Sequence, residues 1–343
     1  MDYKLLSVSK ELPEINIGDY VQALASSQFY PKMDGFIERD ELSLYAGEEC
    51  KVIMNGWYMA KPENWPPSDK IKPLFVAFHI NSKVKDVMLK PESLEYLKKY
   101  EPIGCRDTNT RDMLLENGVD AYFSGCMTLT LGKKYQSDKK NGTVYFVDPY
   151  FVTKWNKRSI IKGVMYLAFH FLPIVKIAKK YPEKKSFFRK CMILTGFYRE
   201  YIKFFSKKVL TDAEYICQQD SYYREAFSND YERLHEAERL VRKYAHARLV
   251  VTSRIHCALP CLGMDTPVIY TENAEQSDAS ACRFGGLRDL FNIFQWKEGT
   301  IKPLFPWNAK VTSGSFSDLP CNKDNWKDLS VQLIDRCERF VTE

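Results

Sequence analysis

The chain has 343 residues, 45% of them hydrophobic, and 50 Lys and Arg against 44 Asp and Glu, for a net charge of +6. Length and apolar content exclude a disordered chain and a single small domain, and predict two domains of ~150 residues each. The charge excess is too weak for a nucleic-acid partner, and suits an anionic small molecule or an anionic membrane surface.

The elements fall in alternation along the chain. An apolar run at Tyr3 to Val8 predicts a strand, followed by a loop from Pro13 to Asp19 and a helix from about Tyr20 to Phe29. Strands follow at Cys50 to Met54 and Leu74 to Ile80, a helix at Pro91 to Tyr100, and a short strand at Ile103 to Cys105. A helix from Thr108 to Asn117 closes at Gly118, and Ala121 to Phe123 is a further strand. Strands interleaved with helices predict parallel βαβ units.

A second series begins at Thr143 to Val147, with a break at Asp148-Pro149. Ile216 to Gln218 is a candidate strand, Ser228 to Lys243 a charged helix and Leu249 to Thr252 a strand. Ile255 to Leu262 is a helix, Pro267 to Tyr270 a strand, and Lys327 to Val341 a last helix. The expected fold class is therefore α/β, with two Rossmann-like domains facing a cleft. The expected divisions are 1–148 on the acceptor side, a basic aromatic helical insert at 149–208, 209–325 on the donor side, and a C-terminal helix at 326–343.

Ten cysteines are scattered with no Cys-x-x-Cys, and Cys257 and Cys261 lack a second pair at zinc spacing. No metal site is expected, and the thiols read as buried side chains in a reducing compartment. The first ten residues carry no apolar signal core, which points to the cytoplasm.

Candidate chemistry clusters where strands run into helices. The sharpest site is Val250 to Ala258, where an apolar strand enters Ser253-Arg254-Ile255-His256 and a helix begins. Free N–H groups at a helix start suit phosphate, Arg254 adds a forked cation, and His256 exchanges protons near neutral pH. The plain structural alternative pairs Arg254 with an acid and packs His256 under the helix. A second site is Asn16-Ile17-Gly18-Asp19. There Gly18 admits a close ligand and Asp19 accepts a hydroxyl proton, or Asp19 merely caps the helix. Arg106 opens a third strand-end loop, and Ser124 to Thr128 a fourth. Asn55-Gly56-Trp57 and His79-Ile80-Asn81 complete a ring of polar strand ends.

In order and separation, Asn16 to Asp19, Asn55 to Trp57, Gly104 to Asp107, Ser124 to Leu129 and Ser253 to His256 resemble the polysaccharide pyruvyl transferase family. The resemblance runs from near residue 14 to near 290. It implies a glycosyltransferase-B-like fold, phosphoenolpyruvate as co-substrate with no other cofactor, and a cyclic ketal on one hexose, with galactose expected through its 4 and 6 hydroxyls. His256 is implied as the general acid, with Asp19 nearer the acceptor as the second catalytic group. Arg254, Arg106, Ser253 and Glu272 fall on the donor side. Asn16, Gly18, Asn55, Trp57, His79 and Asn81 fall on the acceptor side. Some members carry a lysine after the strand matching Pro267 to Tyr270, where this chain reads Thr271 to Gln276.

Residues 160–178 are strongly apolar but include Lys162, His170, Pro173 and Lys176. This composition suits a helix lying in an anionic membrane interface, and equally a helical hairpin packed on the body. With the membrane reading, the acceptor is expected to be a polyprenyl-diphosphate-linked sugar, and the protein peripheral at the inner face of the cell membrane. Two rival functions remain, the first on the cleft residues and the second on the 155–208 segment. A nucleotide-sugar glycosyltransferase would use Arg254 for diphosphate and Glu272 to Glu275 for ribose. A non-catalytic glycolipid-binding membrane protein would be indifferent to His256.

Overall fold

Short runs of β-branched and aromatic residues, each ending in a polar turn, build two parallel sheets in this computed structural model. It describes residues 1–343 apart from 10, 59, 183–184, 276–281 and 314–318. The first half contains β1 (Asp2–Tyr3), β2 (Leu5–Ser7), β3 (Ile15–Asn16), α1 (Ile17–Ser27), β4 (Phe36–Glu38), β5 (Cys50–Ile53) and β6 (Ile71–Leu74). It continues through α2 (Lys85–Met88), α3 (Pro91–Lys98), β7 (Ile103–Cys105), α4 (Thr108–Glu116), β8 (Ala121–Phe123) and α5 (Gly132–Tyr135). β1, β5 and β6 form a parallel three-stranded unit, a bridge from Phe78 to Cys105 links the run after β6 to the parallel pair β7–β8, and β2–β4 is a further parallel pair.

The strand expected at Leu74 to Ile80 instead begins at Ile71 and leaves regular geometry after Leu74. Ala77 sits at φ 54°, which an L-residue adopts only under constraint. That constraint is a hydrogen bond of 3.0 Å from its N–H to Ser124 Oγ.

The second half contains β9 (Val144–Val147), α6 (Lys157–Phe169), α7 (Phe171–Lys180), α8 (Phe187–Tyr201), α9 (Lys207–Asp212), β10 (Glu214–Ile216), β11 (Gln219–Asp220) and α10 (Tyr222–Glu225). It ends with α11 (Asp230–Ala245), β12 (Leu249–Thr252), α12 (Ile255–Gly263), β13 (Val268–Asn273), β14 (Asn292–Lys297), β15 (Thr300–Pro303) and α13 (Lys327–Thr342). The sheet order is β10–β9–β12–β13–β14–β15, parallel except for β15. β9 therefore belongs to the second sheet. Its strands are apolar on both faces, as a sheet covered on both sides requires. Tyr145, Val147, Val250 and Val268 point to the layer of α11 and α12. Val144, Phe146, Leu249, Val251 and Ile269 point to the layer of α7, α8 and α9.

Much of the stretch expected as an insert is thus the covering layer of this sheet, and α6 lies mostly exposed outside it. The apolar run 160–178 is not one helix. Pro173 has no N–H, and its ring would collide with the carbonyl of Phe169 in a continuous helix. The chain accordingly breaks at His170 (φ −118°, ψ 29°), and α6 and α7 meet at 97°.

The two halves do not have wholly separate cores. The first sheet has its own cluster around Phe75, Phe78 and Ile103. The largest cluster, however, runs from Leu5, Ile17 and Leu24 through Met127 and Leu129 to Leu259, Leu333 and Cys337. Added Cβ atoms at Gly132 and Gly263 would lie 1.8 and 2.2 Å from backbone oxygens of Gly263 and Leu129, so only glycines allow this approach of the halves. β11 pairs antiparallel with β3, and α13 returns to the first half, where Phe340 O accepts from Lys51 Nζ and Val341 O from Tyr3 Oη. The ten cysteines are free thiols, seven buried, with Cys321 exposed and Cys217 and Cys282 between.

Candidate active site

The N-termini of α1 and α12 meet at a cleft of 470 Å³ walled by both halves. Its lining includes Asn16, Asp19, Arg39, Trp57, Arg254 and His256. Asn16 caps α1, its Oδ1 accepting from Gly18 N at 3.0 Å. Among the described residues no side chain caps α12, and although Cys257 N turns back to Arg254 O at 3.1 Å, the N–H groups of Ile255 and His256 are left uncapped at its start. Gly18, expected to admit a close ligand, also makes room for a side chain of the other half. A Cβ there would lie 3.0 Å from His256 Cβ, so Gly18 is what lets His256 seat against α1.

Asp148 organises the opposite wall. It stands at φ 41°, a strained conformation for a residue with a side chain. Its carbonyl accepts from Ser253 Oγ at 2.6 Å, and its carboxylate from Gln218 N at 2.9 Å and Arg254 Nε at 2.8 Å. Arg254 does pair with an acid, yet it still lines the cleft and remains about one-third exposed. The pairing orients the guanidinium and leaves it accessible. Ser253 spends its hydroxyl on Asp148, which makes it a support for the turn.

Below the cleft lie groups whose burial is hard to explain without an anion. Arg106 is completely buried, and none of its three guanidinium nitrogens has a hydrogen-bond partner among the described residues. Burial pushes its pKa down, as does the nearby Arg283, against the attraction of Asp107. An unpaired buried cation costs several kcal/mol, of order that for breaking a buried pair, so a group that pairs with it binds with that gain. His256 is buried with Nε2 unpartnered. Burial, then the positive charges of Arg106, Arg283 and Arg39, hold its pKa well below 6.5, which favours neutral imidazole.

His79 lies in the same field but off the cleft wall. Its Nδ1 is 2.6 Å from Asp107 Oδ2, while Asp107 Oδ1 caps α4 by accepting from Thr110 N at 2.9 Å. Burial and Arg106 outweigh the Asp107 carboxylate and bring the His79 pKa down to about 4. Nε2 is left buried and unpartnered.

The residues expected from the sequence therefore separate into groups. Asn16, Asp19, Trp57, Ser253, Arg254 and His256 line one cleft, with Arg106 buried in the same field of charge. Asp19 is held by Arg39 at 3.1 Å and accepts from Gln22 Nε2, so acting as a base would require it to leave an ion pair. Asn55 faces inward and donates to Gln22 O at 2.9 Å, tying the end of β5 to α1. Asn81 receives Lys83 N in a local turn. Glu272 lies in a neighbouring cavity of 460 Å³, bonded to Arg288 and Gln295. Of the lysine-replacing stretch, Gln276 lies outside the described residues.

Arg39, Arg283 and Asp148 were not singled out from the sequence as site residues, whereas the cap expected at Asp107 or Thr108 is Asp107. Arg39 lies 4.8 Å over the Trp57 ring, and Arg283 completes the positive field around His256. Among the described residues, no group of three or more His, Cys, Asp or Glu is arranged to hold a metal ion.

No curated protein matches the chain. Among solved structures, a functionally uncharacterized protein from Klebsiella pneumoniae aligns over 82% of this chain and 86% of its own, at 13% identity and a TM-score of 0.39. The family model for polysaccharide pyruvyl transferase matches residues 16–275, a span from the cap of α1 to just beyond β13 that includes every wall of the cleft except Arg283, Phe284 and the segment before Asn16. The chain belongs to the polysaccharide pyruvyl transferase family.

Proposed function

We propose that this chain transfers the pyruvyl group of phosphoenolpyruvate to two hydroxyls of one hexose in a polysaccharide precursor, closing a cyclic ketal. The observation that carries this reading is the unpaired, buried Arg106 beside neutral His256, in a field of three arginines (Arg106, Arg283 and Arg39) with Arg254 on the cleft wall. Phosphoenolpyruvate bears a phosphate and a carboxylate on one small carbon frame. Arginine forks match both groups in paired hydrogen bonds. The open N-terminus of α12 adds N–H donors for the phosphate.

The chemistry needs a proton at the methylene carbon while a sugar oxygen bonds to the adjacent carbon. The second hydroxyl then displaces phosphate, and the two hydroxyl protons end on the new methyl group and the released phosphate. With its pKa held low, His256 alone is a poor acid. A bound trianion offsets the charge of Arg106, Arg283 and Arg39, the same charges that depress its pKa, and so raises its proton affinity. The donor thus arms its own acid. His256 delivers the proton, and the arginines stabilise the departing phosphate. Trp57 offers an aromatic wall to the sugar, and galactose through its 4 and 6 hydroxyls is the proposed acceptor.

A nucleotide-sugar donor would place ribose on Glu272, whose carboxylate is already held by Arg288 in a fork and by Gln295. The two readings separate in one assay. Phosphate release from phosphoenolpyruvate should depend on an added galactoside and yield a product heavier by one ketal-linked pyruvyl group. Silence with phosphoenolpyruvate across galactosides, glucosides and mannosides, with turnover of a nucleotide sugar, would refute the proposal.

A further inference from the structure

The corner between α6 and α7 exposes a concentration of apolar surface that the reaction does not use. Phe169 is 82% exposed, Leu172 75% and Phe188 65%, and Ile161, Met165 and Phe171 join them. Such a contiguous patch marks an interaction surface. No single helix here is long and apolar enough to cross a membrane, and the bend of 97° makes the pair a protruding corner.

The charge around this patch identifies its partner. Residues 149–182 contain seven Lys or Arg and no Asp or Glu. Lys157, Arg158 and Lys162 make no ion pair with any described residue, although each is exposed. On the flank of α6 lies a cavity of 270 Å³ lined by Lys154, Trp155, Lys162, Tyr166 and Arg199. It joins two aromatic side chains to three cations, a composition that fits a phosphate head group with apolar chain beside it. A second copy of this chain is a poor occupant, because it would bring the same uncompensated cations face to face.

We propose that the α6–α7 corner docks on an anionic phospholipid bilayer, with Phe169, Phe171 and Leu172 entering the head-group boundary and the Lys154–Lys162–Arg199 cavity holding a lipid phosphate. Asp148, which orients Arg254, precedes Trp155 by seven residues, so the docked surface lies at most ~25 Å of chain from the cleft wall. Resting on the transferase reading, this deepens it: an acceptor sugar built on an isoprenoid phosphate would reach the cleft without leaving the membrane.

The test is flotation of the full-length protein with phosphatidylcholine vesicles, with and without phosphatidylglycerol. Flotation should require phosphatidylglycerol and fall at ~1 M salt. F169D/L172D should weaken it by ~10-fold or more, and K154E/K162E should abolish the phosphatidylglycerol preference while the apolar tip remains. All of these side chains lie at the surface, so melting curves should match the parent. Ketal formation on a water-soluble galactoside should be unchanged, which separates failure of docking from failure of the transferase reading. A folded parent that does not float on phosphatidylglycerol vesicles at low salt overturns the proposal. So does a dimer that F169D/L172D dissociates, with no flotation by either form.

Discussion

Two regions of this molecule are rich in cations and treat them in opposite ways. In the cleft, Arg39 and Arg254 are oriented by Asp19 and Asp148, while Arg106 is buried with no partner among the described residues. Along α6, which leads to the α6–α7 corner, Lys157, Arg158 and Lys162 stand exposed on the same helix as exposed Ile161 and Met165. The same residue types acquire different chemistry from their surroundings. Fixed cations of low exposure suit one small anion of defined shape and are weakly screened. Mobile cations in water suit a plane of charge, each contributing little and each screened by salt. Only the first arrangement also controls the protonation of a neighbouring histidine.

Several substitutions sharpen or break this contrast. His256→Ala should cut turnover by ~10²–10⁴ while phosphoenolpyruvate binding, read by calorimetry, persists. Retained turnover would remove His256 from the chemistry. Arg106→Met should lower turnover by ~10²–10³, yet leave the melting temperature unchanged or higher, because it deletes a buried charge that no described residue of the protein pairs. A large loss of stability would show that Arg106 is a structural cation, and the contrast between the two regions would fail. Gly18→Ala should push His256 out of register and cost turnover by up to ~10², with a normal fold by circular dichroism and intact donor binding.

The pH dependence has a definite sign. His79 and His256 are held neutral in the folded protein, below their unfolded pKa of ~6.5. Below pH ~6.5 the unfolded chain therefore holds more protons, so stability is complete above that pH and falls as pH falls. For His79 the loss reaches about 3 kcal/mol by pH 4. Urea melts across this range should show the slope, and His79→Gln should reduce it. Donor binding should instead take up a proton at His256, so affinity for phosphoenolpyruvate should weaken as pH rises, by at most ~10-fold per pH unit. Calorimetry in buffers of different ionisation enthalpy reads that proton, and it should vanish in His256→Ala. Smallest of all, K157E/R158E should leave turnover on a soluble acceptor unchanged.

Parts of this arrangement were legible in the sequence because their physics is local. A strand running into Ser253-Arg254-Ile255-His256 declares a helix start beside a cation and a titratable ring, and those are where the cleft is. Asp148 gave no such sign. Its importance lies in a left-handed backbone and in bonds to residues more than 60 positions away. Arg39 and Arg283 follow no informative pattern and reach His256 only through tertiary packing. Gly18 and Asn55 were legible as special but not in kind, because a local pattern cannot tell a helix–helix contact from a ligand contact. The apolar stretch 160–178 showed its composition but not its corner, which Pro173 imposes through the carbonyl one turn before it.

The pairing of β3 with β11 and the contact of Gly18 with His256 carry a consequence for motion. Many two-sheet enzymes grip their substrates by a jaw movement about a linker. Here the jaws are riveted beside the pivot and at the bite itself, since the two helices that carry the acidic and imidazole groups touch across the gap. Folding thus brings the two helices into register by direct contact. Selectivity among sugars then falls to the fixed outline of the rim, where a single side-chain exchange can redirect the enzyme without retuning its movement.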